Sequence, residues 1–536
     1  MKSEEKGTFP EEDPGIEIYI MKKKLFVLSM IILCGAAAAL FLYCTPHGVG
    51  LTNDSSAYIG GARSLLARQG YVRIGGDGLP RPITHFPPFY SIVLAKVSRI
   101  IKTDPLETAK WVNLCCTVLN QALFMTALIV LTHSAFAAFL GGIVFLCAGP
   151  VLQADVYGLS EALYTTLFLG LFILSIRAVR RNSVWQWLLI GLLAGALALT
   201  RYAGLAAVAA AAIYILCVHT SWKMRIQSVL LYFAAFNIPF GYWLSKSNEG
   251  GESPVNRVFA LHLPSVSKVE EGIRNFAGFF LPEFGGIVEK PLKIWGFVIA
   301  GALILLLGAV IWAGLRGFFH PSEKLRQSAL FAPALHGAAY LVLVFFTVFF
   351  IDGSTLFDNR ILLPFYVCAM LLITAFCSRF LDRGGFPRAA VIVFMLGFAA
   401  LLFEDELDLI KEYHRNGQGF AGDEWRESET RLAALELPGD HLLWSNRQTA
   451  LSLLNDQPSF ILPPMFDAAS FSERDSFEQD RAWMAEEVFS GNGYVIIFNY
   501  QEMMENEDDR VWLETVLNGL PVLAEYSDGA IFGIVD

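Results

Sequence analysis

The sequence Asn53-Asp54-Ser55-Ser56-Ala57-Tyr58 opens a polar, basic segment that directly follows the first long apolar run of the chain. A second landmark of the same segment is His85-Phe86-Pro87-Pro88-Phe89-Tyr90. Between them they place a carboxylate, several arginines and a rigid Pro-Pro pair at the edge of an apolar stretch. A charged loop in this position is typical of a membrane protein whose polar chemistry lies at the bilayer surface.

The composition supports a membrane location. The 536 residues are 54% hydrophobic and only 17% charged, with a mean hydropathy of +0.48, which is too apolar for a soluble enzyme of this length. A spanning helix needs about 20 apolar residues, and by that measure the chain carries about eleven such segments between residues 25 and 403. They are predicted at residues 25–43, 109–132, 134–153, 159–178, 184–200, 203–218, 227–245, 293–316, 330–351, 360–380 and 388–404.

The distribution of charge predicts the orientation. Lys22-Lys23-Lys24 precedes the first span, and later basic clusters fall on the same side, so we expect that side to be cytoplasmic. Residues 1–20 are polar and are predicted to be a disordered cytoplasmic N-terminus. Residues 405–536 are acidic and fall on the other side of the plasma (inner) membrane. The net charge of -10 argues against nucleic acid as a partner, because phosphate binding needs a basic surface.

The chain therefore divides into a transmembrane domain, residues 21–404, and an extracytoplasmic C-terminal domain. The transmembrane domain carries a first outer loop, 45–108, and a second, 246–290. In the first loop, residues 54–69 are predicted to form a helix and residues 89–101 an interfacial amphipathic helix. Strand and helix patterns alternate after residue 420 and predict a small α/β domain. The predicted fold class is an α-helical polytopic membrane protein with this domain at its C-terminus.

The cysteines give no metal or disulfide signal. All eight lie in or at the ends of apolar segments, and neither CxxC nor a Cys/His zinc spacing occurs. We therefore predict no metal site from them and no disulfide framework.

Three carboxylates at the predicted outer boundary are candidates for chemistry. Asp54 lies where a partly desolvated carboxylate can take a proton from a hydroxyl, although it could equally cap the helix that it begins. Glu161 and Asp155 lie at the boundary between two spans, and could either share base and orienting roles with Asp54 or be ordinary interfacial residues.

Cations and loop residues complete the candidate set. Arg201 falls between two apolar runs, where a charge is costly, and is either functional or snorkelling to the surface. Arg360 is similar, unless Asp358 simply neutralises it. Arginine suits a phosphate because its planar fork binds oxygens in pairs. From the first loop we add Tyr58, Arg63 and His85; a loop histidine could be an acid/base or a metal ligand, but more often is neither.

Five stretches in this order resemble the GT-C superfamily of polytopic glycosyltransferases, in the group around the protein O-mannosyltransferases and the lipid A aminoarabinose transferase. They are Asp54-Ser55-Ser56-Ala57-Tyr58, Phe86-Pro87-Pro88-Phe89-Tyr90, Ser160-Glu161-Ala162-Leu163-Tyr164, the glycine-rich run from Gly191 to Arg201, and Arg360-Ile361-Leu362-Leu363-Pro364.

The resemblance implies a mannosyltransferase-like enzyme of the cell envelope. It would move a sugar, with inversion, from a polyprenyl-phosphate donor to a lipid, glycan or protein hydroxyl on the extracytoplasmic face. Asp54 matches the family's catalytic aspartate, and Arg201 and Arg360 match positions near the leaving phosphate. The family often has an adjacent acidic pair in the first loop, whereas Asn53 precedes Asp54 here. No cofactor is therefore predicted, with a divalent cation as an open alternative.

Two other function classes compete with this one. A transporter or flippase of lipid-linked saccharides would show Gly/Pro-broken helices in two matching halves, and no convincing pair is found. A noncatalytic membrane scaffold with an external binding domain would leave the boundary arginines and the basic first loop unexplained.

Overall fold

A computed structural model describes residues 14–74, 79–181, 184–249, 261, 263–280, 292–351, 355, 357–465 and 474–534. In chain order, the helices up to residue 416 are α1 (Pro14–Cys44), α2 (Asn53–Leu66), α3 (Phe89–Ile101), α4 (Pro105–Thr132), α5 (Ala135–Leu146), α6 (Gly149–Val156), α7 (Glu161–Arg181), α8 (Gln186–Thr200), α9 (Gly204–Val218), α10 (Trp222–Glu249), α11 (Val266–Phe280), α12 (Leu292–Phe319), α13 (Glu323–Gln327), α14 (Phe331–Phe346), α15 (Asn359–Leu381), α16 (Gly385–Asp405) and α17 (Leu407–Asn416). A π-helical turn, Thr347–Ile351, extends α14.

Each segment predicted to span the membrane is helical, but the count of eleven spans is not confirmed. Within the described ranges, seven helices are long and apolar enough to cross a bilayer, or eight if α5 and α6, bent by 62°, form one span. Length explains part of the difference. Helices α8 and α9 have 15 residues each, so each rises about 22 Å, less than the roughly 30 Å of a hydrocarbon core.

The N-terminal boundary also differs from the prediction. Helix α1 already includes residues 14–20, which were predicted to be disordered, and residues 1–13 lie outside the described part of the chain. A proline is well tolerated in the first turn of a helix, where its missing N–H has no intrahelical partner, so Pro14 is a suitable first residue.

The helical core is packed through small residues where helices come closest. Helix α8 lies along α10, and a Cβ placed on Gly191 would come within 2.3 Å of the Tyr232 carbonyl oxygen. One turn later, a Cβ on Gly195 would come within 2.4 Å of Pro239 Cγ. Glycines spaced four apart in this way let two backbones approach closely within a membrane.

Two segments that were predicted to be outer loops lie beside the bundle. The first contains α2 and α3, joined through an antiparallel hairpin of β1 (Val72–Ile74) and β2 (Pro80–Pro82). The second, predicted as the loop 246–290, is described at residues 246–249, 261 and 263–280, and it contains α11. There Phe279 stacks on Tyr366 of α15 with ring centroids 4.0 Å apart, and Phe276 stacks on Phe365.

The C-terminal domain contains a five-stranded mixed sheet of β3 (Leu442–Ser445), β4 (Phe460–Ile461), β5 (Gly493–Phe498), β6 (Val522–Tyr526) and β7 (Gly529–Phe532). The strand order is β4-β3-β5-β7-β6, and β3 runs parallel to both of its neighbours, β4 and β5. Its helices are α18 (Asp423–Arg426), α19 (Glu429–Leu435), α20 (Gln448–Ala450, followed by a π turn, Leu451–Asn455), α21 (Phe477–Phe489), α22 (Tyr500–Glu505) and α23 (Glu507–Val516).

The predicted α/β character of this domain is therefore observed. Strand β5 is buried along its whole length, with one hydrophobic cluster on each face of the sheet. Residues 423–435 form two separate helices, α18 and α19, and residues 500–516 form α22 and α23. Side-chain capping by Ser428 starts α19 separately from α18.

The first outer loop joins the C-terminal domain to the helical bundle. Gly50 forms a backbone bridge with Tyr157, and the next residue, Leu51, forms one with Gly419. Arg63 of α2 donates hydrogen bonds to the carbonyl oxygens of Ser452 and Leu453 at 3.0 and 3.1 Å. The first loop, the start of α7 and the C-terminal domain therefore lie at one end of the bundle.

Candidate active site

Four charged residues from distant parts of the sequence meet at this end of the bundle. Asp54 lies in the first turn of α2, Glu161 begins α7, Arg201 follows the last residue of α8, and Arg360 lies in the first turn of α15. Each is at or beside the end of a helix, where an apolar span gives way to a more polar environment. The fold brings these helix ends together, and with them four of the residues singled out from the sequence.

The four side chains form a continuous chain of charge. Arg360 Nε donates a hydrogen bond to Glu161 Oε1 at 2.6 Å, and Arg360 Nη2 donates one to Asp54 Oδ2 at 2.5 Å. Arg201 Nη1 forms an ion pair with the same oxygen of Glu161. The order is thus Asp54, Arg360, Glu161, Arg201, with two cations neutralising two carboxylates.

One half of this four-residue charged group is open to solvent, and the other half is largely buried. The side chains of Asp54 and Arg360 are 33% and 36% exposed, whereas those of Glu161 and Arg201 are 3% and 17% exposed. A buried charge persists only when it is paired, so Glu161 and Arg201 depend on each other. Glu161 Oε2 is buried and makes no hydrogen bond to any described residue. The open half is the part that a ligand can reach.

Asp54 is not the cap of its helix. The N-cap of α2 is Thr52, and Asp54 is the second residue of the helix. At this position the partial positive charge of the helix N-terminus favours a carboxylate. The alternative in which Asp54 only caps the helix is therefore not what the structure shows. Its carboxylate instead faces Arg360.

Arg360 is not neutralised by Asp358 either. Asp358 caps α15 by accepting a hydrogen bond from the Ile361 amide at 2.7 Å. Burial raises the pKa of Asp358, and this cap hydrogen bond acts in the opposite direction. Arg360 thus remains bound to Glu161 and Asp54.

Tyr58 stands beside the charged group. Its hydroxyl lies 2.9 Å from Ser160 Oγ, one residue before Glu161, and its ring packs edge-on against Phe86 and Tyr90. Burial raises the pKa of Tyr58 to about 12, although Arg201 acts in the opposite direction. The phenol is therefore neutral at physiological pH and lines the wall of the site.

The other sequence candidates are placed elsewhere. Asp155 is buried and accepts a hydrogen bond from Asn120 at 3.3 Å, which places its carboxylate in the packing of α4 against α6. Arg63 forms a two-point ion pair with Asp104 in addition to its contacts with the C-terminal domain. His85 is exposed and packs edge-on against Phe86. Asp155 and Arg63 are therefore bound by other parts of the structure.

Some residues at this end were missed by the sequence reading. Ser160, the partner of Tyr58, and Tyr157, whose hydroxyl hydrogen-bonds to Gln418, connect the start of α7 to the first loop and to the C-terminal domain. Ser160 belongs to one of the five stretches of the family resemblance but was not predicted as a site residue, and no spacing or charge in the sequence distinguishes Tyr157.

An apolar cavity of about 220 Å³ lies next to the start of α15. Its walls come from α11, α12 and α14, and it extends to Phe357 and Leu362 on either side of Arg360 in the sequence. Among the described residues, no group of three or more His, Cys, Asp or Glu side chains is arranged to hold a metal ion.

Comparison with solved structures identifies the fold. The oligosaccharyltransferase AglB from Archaeoglobus fulgidus, in complex with an inhibitory peptide and a dolichol-phosphate, superposes with a TM-score of 0.56 at 13% identity, over 94% of this chain and 73% of that one. The arabinofuranosyltransferase AftD from Mycobacteria superposes with a TM-score of 0.52 at 14% identity, over 95% of this chain but only 40% of AftD.

ArnT from Cupriavidus metallidurans aligns over 97% of this chain and 98% of its own length at 15% identity, with a TM-score of 0.47, too low to support an argument. No protein-family model and no curated protein match the sequence. The chain thus has the fold of the GT-C glycosyltransferases, as the sequence predicted.

Proposed function

From the GT-C fold and the open pair of Asp54 and Arg360, we propose that the chain is an inverting glycosyltransferase. It moves a sugar from a polyprenyl-phosphate donor to the hydroxyl of a lipid, glycan or protein acceptor on the extracytoplasmic face of the plasma membrane. The single observation that carries the proposal is the 2.5 Å contact between a half-exposed carboxylate and a half-exposed guanidinium at the edge of an apolar bundle.

The two open side chains suit the two halves of a displacement. Asp54 accepts the proton of the acceptor hydroxyl as the acceptor oxygen forms its bond to the anomeric carbon. On the opposite side of that carbon, the bond to the phosphate oxygen breaks, and polyprenyl phosphate leaves with the electron pair. Arg360 stabilises the charge that develops on the phosphate. Attack opposite the leaving group inverts the anomeric configuration.

The contacts also suggest an order of events. Arg360 Nε is held by the buried Glu161, whereas Nη2 binds the half-exposed Asp54. A donor phosphate competes with Asp54 for this second nitrogen, because a guanidinium binds phosphate oxygens in pairs. Donor binding then releases the carboxylate of Asp54 to serve as a base. Arg201, bound to Glu161, holds the inner end of the group in place.

The apolar cavity supports a lipid-linked donor. It is lined almost entirely by hydrophobic side chains, and Leu362 in its wall lies two residues after Arg360 on α15. A prenyl chain in this cavity would lie beside the N-terminal end of α15, the helix whose first turn carries Arg360. AglB, which shares the fold, has been solved with a dolichol-phosphate, a lipid phosphate of the class proposed here.

The test compares transfer with transport. Purified protein in lipid nanodiscs is given a panel of polyprenyl-phosphate sugars with candidate acceptors, and release of polyprenyl phosphate and the anomeric configuration of the product are measured. We expect release with at least one donor and an inverted product. Movement of the intact lipid-linked sugar across a proteoliposome bilayer, without release of polyprenyl phosphate from any donor, would instead establish the flippase alternative.

A further inference from the structure

A groove between the first-loop helices α2 and α3 has a composition that the transfer reaction does not explain. Leu65, Ile92 and Ala95 form its apolar floor, and Arg68, Lys96 and Arg99 stand on its rim. The groove has a volume of about 410 Å³. No carboxylate is among the residues that line it within the described part of the chain.

Within the described part of the chain, the three rim cations have no electrostatic partner. None of their side chains forms an ion pair or a hydrogen bond with a described residue, and all three are exposed. By contrast, Arg63, one turn earlier on α2, binds Asp104 and Asp456. Three like charges around one apolar groove repel each other unless an anion lies between them.

The surroundings of the groove are apolar as well. Leu66, which also lines the groove, is 37% exposed, and Ile100, the residue after Arg99, is 78% exposed. Apolar side chains next to unpaired cations are the pattern of a helix surface that lies in the headgroup region of a bilayer. A water-soluble anion would use the cations but would not account for these exposed side chains.

We propose that this groove binds an anionic phospholipid of the bilayer. Its phosphate lies among Arg68, Lys96 and Arg99, and an acyl chain follows the floor formed by Leu65, Ile92 and Ala95. Charge complementarity selects the lipid, because three unbalanced cations favour a headgroup with net negative charge over a zwitterionic one. The site is separate from the proposed donor site and does not depend on the proposed transfer reaction.

The location of the groove gives the bound lipid a mechanical role. Leu66 and Asp54 are twelve residues apart on α2, so the groove lies about 18 Å along the helix from the proposed base. A lipid that holds one end of a single rigid helix also fixes the orientation of the other end. The groove is too distant for its lipid to contact Asp54 through the phosphate.

The experiment measures lipid binding directly, so that it stays separate from any test of activity. Delipidated full-length protein is titrated with phosphatidylglycerol or phosphatidylcholine, and bound lipid is counted by native mass spectrometry. The groove variant is R68Q/K96Q/R99Q. A cation near a membrane surface contributes about 1 kcal/mol, so losing three should weaken one phosphatidylglycerol site about a hundredfold. Phosphatidylcholine binding should not change.

Two further variants separate local binding from general charge and folding effects. K411Q/R415Q/R510Q removes three cations at the same end of the molecule but outside the groove, and should bind phosphatidylglycerol like the wild type. R68K/R99K keeps the charges and should also retain the lipid. Equal phosphatidylglycerol affinity in the wild type and the groove variant would overturn the proposal. Full displacement of the lipid by an equal concentration of inorganic phosphate would also overturn it, since the groove would then be a simple anion site.

Discussion

The pairing of Glu161 with Arg201 can be tested by a double-mutant cycle. Glu161→Gln keeps the shape of the side chain but removes its charge, which leaves Arg201, only 17% exposed, without a counter-charge. Removing one partner of a buried ion pair typically costs about 3–5 kcal/mol. Arg360 is 36% exposed and keeps Asp54 as a partner, so the loss of its contact with Glu161 adds little to the cost. We therefore expect Glu161→Gln to lower the free energy of unfolding by about 3 kcal/mol.

In the double variant Glu161→Gln/Arg201→Gln, both buried charges are absent and the pair of Asp54 and Arg360 remains neutral. The free energy of unfolding should therefore fall by less than the sum of the two single losses, with a coupling of about 1–3 kcal/mol. The assay is reversible unfolding in mixed micelles, followed by tryptophan fluorescence. The control is the exposed pair of Asp408 and Lys411, which are 97% and 53% exposed and whose coupling should be much smaller than that of the buried pair. Single losses that add to within about 0.5 kcal/mol would refute the reasoning.

Three further predictions concern single positions. Arg360→Gln should lower kcat about 10²–10³-fold, with donor binding measured in parallel. Arg360→Lys should restore only part of the lost kcat, because one ammonium cannot bind two carboxylates or a phosphate as a guanidinium does. Arg63→Gln should lower the free energy of unfolding by about 2 kcal/mol and speed hydrogen exchange in residues 451–455. Arg68→Gln should leave that exchange unchanged. Gly191→Ala should lower the thermal midpoint, since a methyl group there meets backbone, whereas Gly301→Ala, in open space, should not.

Each of these has an outcome that would contradict it. Full activity in Arg360→Lys would mean that charge alone matters at that position. Unchanged exchange in Arg63→Gln would mean that the C-terminal domain is held by the backbone bridge between Leu51 and Gly419. A stable Gly191→Ala protein would show that α8 and α10 can separate without cost.

The helices were predictable because each apolar run is long and bounded by polar residues. The same signal could not fix the number of spans. Residues 184–200, for example, have the composition of a span, but the helix that they form has only 15 residues. One face of this short helix is buried by packing along the longer α10, which the composition does not reveal. Hydropathy indicates that a segment lies in an apolar environment, but it does not show whether the segment crosses the whole bilayer.

The candidate site was predictable in part, and the reason lies in charge. Asp54, Glu161, Arg201 and Arg360 stood out because each puts a charge at the end of an apolar run, where an unpaired ion is costly. Glu161 binds both arginines because the start of α7 lies beside the ends of α8 and α15. Asp155 instead binds Asn120 because α6 packs against α4. Such pairings are set by tertiary packing, which a single sequence does not contain.

The central claim is that Asp54 is the base of a glycosyl transfer. Wild type, Asp54→Asn and the control Asp408→Asn, which alters a 97% exposed carboxylate, are compared in nanodiscs with the donor that the wild type uses. The measured quantity is the single-turnover rate of polyprenyl phosphate release, with donor binding determined separately. We expect a loss of about a hundredfold to ten-thousandfold in Asp54→Asn alone, with donor binding retained. Equal rates in all three proteins would contradict it.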